Sequence, residues 1–320
     1  MSKIQDALNK LKQEGALPVQ RTLTPATAPA VPPEAATPTE VLAQPAARPS
    51  SQDRVVEMTP VSIARKKKVT IDGPKHAIDQ HHLIQAGLLA PLDQAVPIAD
   101  EFRRIKRPLI TNATATTNAA GEPDDHMNVI MITSALPNAG KTFCSMNLAL
   151  SMSLERELNV LLVDADVAKR HITRELGLAE APGLTDLLLD DSLQVDESLV
   201  RTDMNDIQVL PAGRGHPQAT ELLASDRMSR IIRELATRYS DRIILLDSPP
   251  LLITSEAQAL ASQVGQIALV VEAGETTQQS LLQTIEVLDR DKAINCILNK
   301  SRHSSQFGYY GGDYGYYGYE

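Results

Sequence analysis

Val129-Ile130-Met131-Ile132-Thr133-Ser134-Ala135-Leu136-Pro137-Asn138-Ala139-Gly140-Lys141-Thr142 runs from an apolar segment through a short loop into the start of a helix. Its last eight residues fit G-x-x-x-x-G-K-[ST], with Ala135 in the place of the first glycine. The residue types follow from what a phosphate needs. Backbone N–H groups of such a loop, together with the N-terminus of the helix that follows, present donors to phosphate oxygens. Gly140 lets the main chain approach without a Cβ in the way. Lys141 reaches the β- and γ-phosphates, and the Thr142 hydroxyl ligates Mg²⁺. Leu136 to Phe143 is therefore the candidate nucleotide-binding segment, covering Leu136, Pro137, Asn138, Ala139, Gly140, Lys141, Thr142 and Phe143.

Working outward, short segments rich in branched apolar residues recur at Val129–Ile132, Val160–Val163, Ile207–Leu210, Ile243–Leu246, Ile267–Val271 and Ile294–Leu298. Helical patterns fit between most of them, for example Lys141–Glu157 with Phe143, Met146, Leu150 and Leu154 on one face. Buried strands alternating with helices imply an α/β fold, a doubly wound and mostly parallel sheet of the P-loop NTPase type. Two of the strands end in acid: Val160-Leu-Leu-Val-Asp164-Ala-Asp166 and Ile243-Ile-Leu-Leu-Asp247-Ser-Pro-Pro250. In open α/β sheets the ligand crevice lies at the carboxyl ends of the strands, so the loop and both acidic ends converge there. Asp alone after a strand is commonly a turn former; three features in this order point instead to a Mg-ATP site. Asp247 and Asp164 are the expected metal or water ligands with Thr142. Asp166 is the candidate acceptor of a proton from an attacking hydroxyl, with the roles of Asp164 and Asp166 exchangeable. Asn299, after the last strand, is a candidate contact for the base of ATP.

Composition sets limits. The chain has 320 residues, 42% apolar, with no Trp and 3% aromatic content, so its core is built from Leu, Ile, Val and Ala. A formal net charge of −9 argues against general nucleic-acid binding, which needs a basic face. Two cysteines, Cys144 and Cys296, make no disulfide framework and fit a reducing compartment. Without an apolar run long enough for a membrane helix or a secretory signal, the expected location is the cytoplasm.

Residues 1–15 carry Ile4, Leu8 and Leu11 at one-face helical spacing, a short helix. Residues 16–64 are dominated by Pro, Ala and Thr and read as a disordered linker. The main domain is expected over 65–305, opening on the basic run Arg65-Lys66-Lys67-Lys68 and a helix around Ala99–Arg107. The tail, 306–320, holds six of the seven tyrosines, Tyr309, Tyr310, Tyr314, Tyr316, Tyr317 and Tyr319, spaced by glycine. Beside an ATP site they read as phosphoacceptors. About 15 residues beyond Ser301 reach roughly 50 Å at about 3.3 Å each, enough to enter a neighbouring subunit. Each phosphate adds about −1.5 to −2 charges, enough to unsettle a charge-balanced oligomer.

These residues resemble the bacterial protein-tyrosine kinases of polysaccharide synthesis and export, and more narrowly the exosortase-associated tyrosine autokinases. The resemblance spans about Arg65–Glu320. It rests on Ile110-Thr-Asn, the Thr133–Phe143 loop, Leu162-Val-Asp-Ala-Asp-Val167, Leu210-Pro-Ala-Gly213, Thr220-Glu-Leu-Leu-Ala-Ser225, Leu246-Asp-Ser-Pro-Pro-Leu251 and the tyrosine tail. It implies autophosphorylation of the tail in trans, regulating exopolysaccharide export. It also implies a ring-forming homo-oligomer, with Glu101, Arg104 and Arg107 matching the family's E-x-x-R-x-x-R helix. A separate membrane activator of the chain-length-determinant type would recruit the chain to the inner face of the membrane. The chain departs from the family pattern at Ala139, where an acidic residue is usual, and at Lys169-Arg170, where Arg-Pro is usual. Two other readings compete: a partition- or division-type switch ATPase, whose signature lysine would fall at Leu136, and a degenerate nucleotide-binding scaffold.

Overall fold

Alternate residues of the central strands face opposite ways, and both sets are buried. Val129 and Met131 of strand β1 (Val129–Ser134) join one apolar cluster, while Ile130 and Ile132 join the other. Strand β5 (Arg242–Asp247) divides the same way, with Ile244 and Leu246 on one face and Ile243 and Leu245 on the other. A sheet apolar on both faces must be covered by helices on both. The computed structural model describes residues 74–91, 94–114, 126–289 and 291–301. The N-terminal helix, the linker, the basic run and the tyrosine tail expected from the sequence lie outside them.

In chain order the elements are α1 (Gln80–Gln85), α2 (Ala95–Ala113), β1, α3 (Lys141–Ser153), β2 (Asn159–Asp164), α4 (His171–Glu175), α5 (Leu184–Leu189) and α6 (Val195–Ser198). There follow β3 (Val200–Arg201), β4 (Gln208–Leu210), α7 (Ala219–Leu222), α8 (Asp226–Arg238), β5, α9 (Ser255–Gln263), β6 (Gln266–Glu272), α10 (Gln278–Glu286) and β7 (Ala293–Asn299). The sheet order is β3-β4-β2-β5-β1-β6-β7, parallel throughout except for the β3–β4 pair. All six expected strands are present. The seventh, β3, is only two residues long and carries no alternating pattern of its own.

Two helices differ from expectation. α3 stops at Ser153 rather than Glu157, and Leu154 is exposed instead of closing an apolar face. Cys144, Ser145, Met146, Asn147, Leu148, Ala149, Ser151 and Met152 are all buried, so α3 is covered nearly all round and has no single apolar stripe to read. α2 is longer than Ala99–Arg107 and carries Pro108 inside it. Phe102, Lys106 and Leu109 form its buried face. The Lys106 ammonium donates to the Ser151 carbonyl of α3 and pairs with Glu155 at 2.9 Å, tying the two helices together. Among the described residues no helix is long and apolar enough to cross a membrane.

Candidate functional site

The parallel register sets Asp164 of β2 opposite Asp247 of β5, and Asp247 opposite Ile132 of β1. Both acids and the loop after β1 therefore meet at one end of the sheet. Gly140 stands at φ 91° ahead of α3, a conformation glycine adopts without steric cost. A Cβ there would also collide with the side-chain amide of Asn299. Asn138 is left-handed too, at φ 67°. Among the described residues, none of the backbone N–H groups from Asn138 to Phe143 donates a hydrogen bond. Six consecutive unspent donors at the start of a helix form a concavity built for an anion.

Asp247 is fully buried and satisfied on both oxygens: Thr142 Oγ1 donates to Oδ2 at 2.8 Å and Ser145 Oγ to Oδ1 at 3.0 Å. Burial pushes its carboxyl up to about 6, against the opposing pull of Thr142, Lys141 and Ser145. Lys141 is buried, and burial lowers its amine while Asp247 and Asp166 act to hold the charge. Asp164 is held on one side only. Thr173 donates to its Oδ2 twice, from the backbone at 2.8 Å and from Oγ1 at 2.7 Å. Its Oδ1 is buried without a partner. Burial, opposed by the Thr173 hydroxyl, pushes this carboxyl up to about 7. A half-satisfied buried carboxylate beside six unspent N–H donors and a buried lysine fits a polyphosphate with its cation, and explains why the orphan oxygen is tolerated.

The remaining expected residues fall as follows. Asp166 is buried near Lys141, and its Oδ1 accepts from the Lys169 backbone at 3.3 Å. Leu136, Pro137 and Asn138 are exposed on the crest of the loop, and Ala139 is buried beneath it. Phe143 turns its ring away, onto Phe102 of α2 at 6.0 Å between centroids, so only its backbone N–H faces the loop's task. The Asn299 amide donates to the Ala139 carbonyl at 2.8 Å, which uses one of its two N–H donors and leaves the other and Oδ1 for a base. Glu101, Arg104 and Arg107 lie on the exposed face of α2, opposite its buried residues. The six tail tyrosines lie outside the described residues.

Sequence reasoning missed Thr173 and Ser145. Ser145 was findable, as a polar residue one turn after Lys141 in an apolar stretch. Thr173 gave no signal, because its approach to Asp164 depends on where α4 packs. A cavity of about 370 Å³ beside the loop is lined by Leu136, Pro137, Asn138, Ala139, Glu272, Glu275 and Thr276. Its two glutamates make it the wrong side of the loop for phosphate.

The AAA domain family matches residues 127–299, more than half of the chain. Tyrosine-protein kinase YwqD of Bacillus subtilis is 31% identical over 192 residues, which cover 59% of this chain and 79% of that protein. The chain belongs to the bacterial P-loop tyrosine-protein kinases. The putative tyrosine-protein kinase CapB of Staphylococcus aureus is similar at 28% over 221 residues, 68% of this chain and 91% of that one. Against the tyrosine-protein kinase wzc of Salmonella typhimurium, 29% identical, this kinase covers 60% of its own length but only 26% of the relative's. The solved kinase domain of the Escherichia coli tyrosine kinase ETK shares the fold, with a TM-score of 0.52 at 24% identity over 68% of this chain and 80% of that one. The BceF tyrosine kinase domain does likewise, at 0.54 and 23% over 68% and 86%.

Proposed function

We propose that this kinase transfers the γ-phosphoryl group of Mg-ATP to tyrosines of its own C-terminal tail, in trans within a homo-oligomer, and so regulates exopolysaccharide synthesis or export. One observation carries the reading: the unspent N–H groups of the loop, buried Lys141 and the free oxygen of Asp164 meet at one end of the sheet. In this reading the Asn138–Phe143 backbone binds the phosphates and Lys141 neutralises them. Thr142, Asp164 and Asp247 hold Mg²⁺, directly or through water. The ion, when bound, would neutralise charge that develops on the phosphoryl oxygens. A tail tyrosine is placed in line with the γ-phosphorus. Its Oη–P bond forms as the bond to the ADP leaving oxygen breaks, and the phenolic proton passes to the Asp164/Asp166 pair. Positioning and charge neutralisation supply most of the acceleration.

The choice of acceptor has support within the fold. Tyr239, the one tyrosine outside the tail, is fully buried with its hydroxyl bonded to Asp196, so it is out of reach of any active site. Glu101 and Arg104 make no ion pair among the described residues and Arg107 only helps Lys106 hold down the Glu155 carboxyl, so this exposed face can serve a neighbouring subunit. A cytoplasmic location, with recruitment to the inner membrane face by a chain-length-determinant-type protein, completes the proposal.

The deciding experiment is mass spectrometry for phosphotyrosine after incubating the full chain with Mg-ATP, with and without a candidate membrane activator. Tail phosphotyrosine that vanishes in Lys141→Ala and in a chain ended after Ser305 is the expected result. ATP hydrolysed without phosphotyrosine under either condition would overturn it in favour of a switch ATPase. ATP bound but left intact would favour a scaffold.

A further inference from the structure

Directly after β7, two consecutive side chains reach across to two consecutive carbonyls of the phosphate loop. The Asn299 amide donates to the Ala139 carbonyl at 2.8 Å, and Lys300 Nζ donates to the Asn138 carbonyl at 2.8 Å. The same ammonium pairs with Glu272, at the end of β6, at 2.7 Å. We infer that Asn299 and Lys300 are positioning residues that set the phosphate-binding geometry of the loop by fixing the two peptide units Asn138–Ala139 and Ala139–Gly140.

A trans peptide is planar, with its C=O and N–H pointing in opposite directions. Holding the carbonyls of Asn138 and Ala139 toward β7 therefore turns the N–H groups of Ala139 and Gly140 away from β7. In the strand order β2-β5-β1-β6-β7 the loop rises from β1, with β7 on one side and the acid-bearing β5 and β2 on the other. The freed N–H groups thus face the side of Asp247 and Asp164. Asn138 takes the left-handed conformation that asparagine tolerates better than other residues with a Cβ, and the Lys300 bond fixes its carbonyl there. The loop also lacks the usual first glycine, having Ala135 there. Glu272 fixes Lys300 in turn, so three elements, β1, β6 and β7, are joined at the loop. Gly140 admits the arrangement, since any Cβ there would displace the Asn299 amide.

Lys300 is half exposed, and an exposed ion pair contributes little to stability. Its removal should leave the fold intact while loosening the loop. This rests on the nucleotide-binding reading above, and the test separates the two. Mg-ADP binding to the full chain is measured by calorimetry, with kcat and KM for ATP alongside, for Lys300→Ala, Lys300→Arg and Asn299→Asp. Lys300→Ala is expected to weaken Mg-ADP about tenfold and raise KM similarly, the scale of one charge-assisted hydrogen bond to phosphate lost. Its kcat at saturating ATP and its melting temperature should stay near wild type. Lys300→Arg should restore affinity to within about threefold, and Asn299→Asp, which removes the donor and sets a carboxylate against the Ala139 carbonyl, should lose more than Lys300→Ala. Unchanged Mg-ADP affinity in Lys300→Ala beside a wild type that binds would overturn the positioning role alone. A loss in Lys300→Ala that appears as kcat with KM unmoved would overturn it too. A wild type that binds no Mg-ADP would overturn the nucleotide reading and this inference with it.

Discussion

Asp164 and Asp247 end adjacent strands and face each other across one register, yet they are held in different ways. Asp247 is pinned on both oxygens by Thr142 and Ser145 of α3, the helix that also carries Lys141. It is therefore mechanically part of the phosphate loop. Asp164 is pinned on one oxygen by Thr173 of α4, and Thr173 Oγ1 itself accepts from the Ala212 backbone at 2.7 Å. Its other oxygen is free. The difference suggests a division of labour, in which Asp247 secures the nucleotide site and Asp164 keeps an open oxygen for chemistry.

The largest expected effect tests that division directly. Asp164→Asn should cut tail phosphorylation by about 100-fold or more, the scale of losing a positioned acid–base group, while weakening Mg-ADP clearly less than Asp247→Asn does. Asp247→Asn should lose activity as well, but through binding: one of its two acceptor oxygens becomes a donor facing Thr142 or Ser145, and Mg-ADP should weaken by about tenfold or more, the scale of a charge-assisted contact. Calorimetry beside single-turnover phosphorylation distinguishes the two variants. If both lose binding equally, the acids are equivalent and the comparison fails.

A middle-sized effect comes from the hydroxyls that hold each acid. Thr173→Val keeps the shape but leaves the Ala212 N–H and the Asp164 carboxylate each short of a partner in a buried place, costing about 1–3 kcal/mol. Thr173→Ser should recover most of it. Ser145→Ala should cost less, about 1 kcal/mol, because it leaves one buried oxygen, Oδ1 of Asp247, without its donor where Thr173→Val deprives two groups. Denaturant unfolding of the three variants reads the order. Equal losses at the two sites would mean that Thr173 has no special part in holding Asp164.

The same comparison shows what could be read from residues alone. Val160–Asp164 and Ile243–Asp247 announce themselves as apolar runs ending in acid, and the loop at Leu136–Phe143 by spacing, because strand burial and phosphate chemistry are local demands. The partners of those acids are set by long-range packing. Thr173 is nine residues beyond Asp164 and reaches it only because α4 folds back over the sheet end. Lys300 meets Asn138 across 162 positions. The end of α3 at Ser153 is hidden from the sequence for a related reason: a helix buried all round has no polar face whose end marks its end, and Glu155 contacts Lys106 of α2.

The smallest effect lies one layer behind Asp164, on the side that has no counterpart at Asp247. Ala212, which anchors Thr173, sits in the loop after β4, and Asp186 of α5 holds that loop. Its carboxylate accepts from the Gly183 backbone at 3.0 Å, the Arg214 backbone at 3.1 Å and Arg214 Nε at 2.9 Å. Gly213 permits the approach, at φ 81° and with Asp186 where a Cβ would stand. Burial alone would raise the Asp186 carboxyl, but the donors from Arg214 and Gly183 outweigh it and hold the group below its ordinary value of 3.8. A depressed carboxylate contributes stability that is present above the unfolded value and is lost as pH falls through the folded one. Arg214→Gln removes the guanidinium and leaves the backbone bonds. The Arg214 side chain is 76% exposed, so solvent screening limits the loss at neutral pH to about 0.5 kcal/mol. Wild type and variant should converge in unfolding free energy as pH drops below the ordinary carboxylate range. A gap that persists unchanged in acid would assign the effect to packing of the arginine stem, and the Asp164 side would then have no charged support behind Thr173.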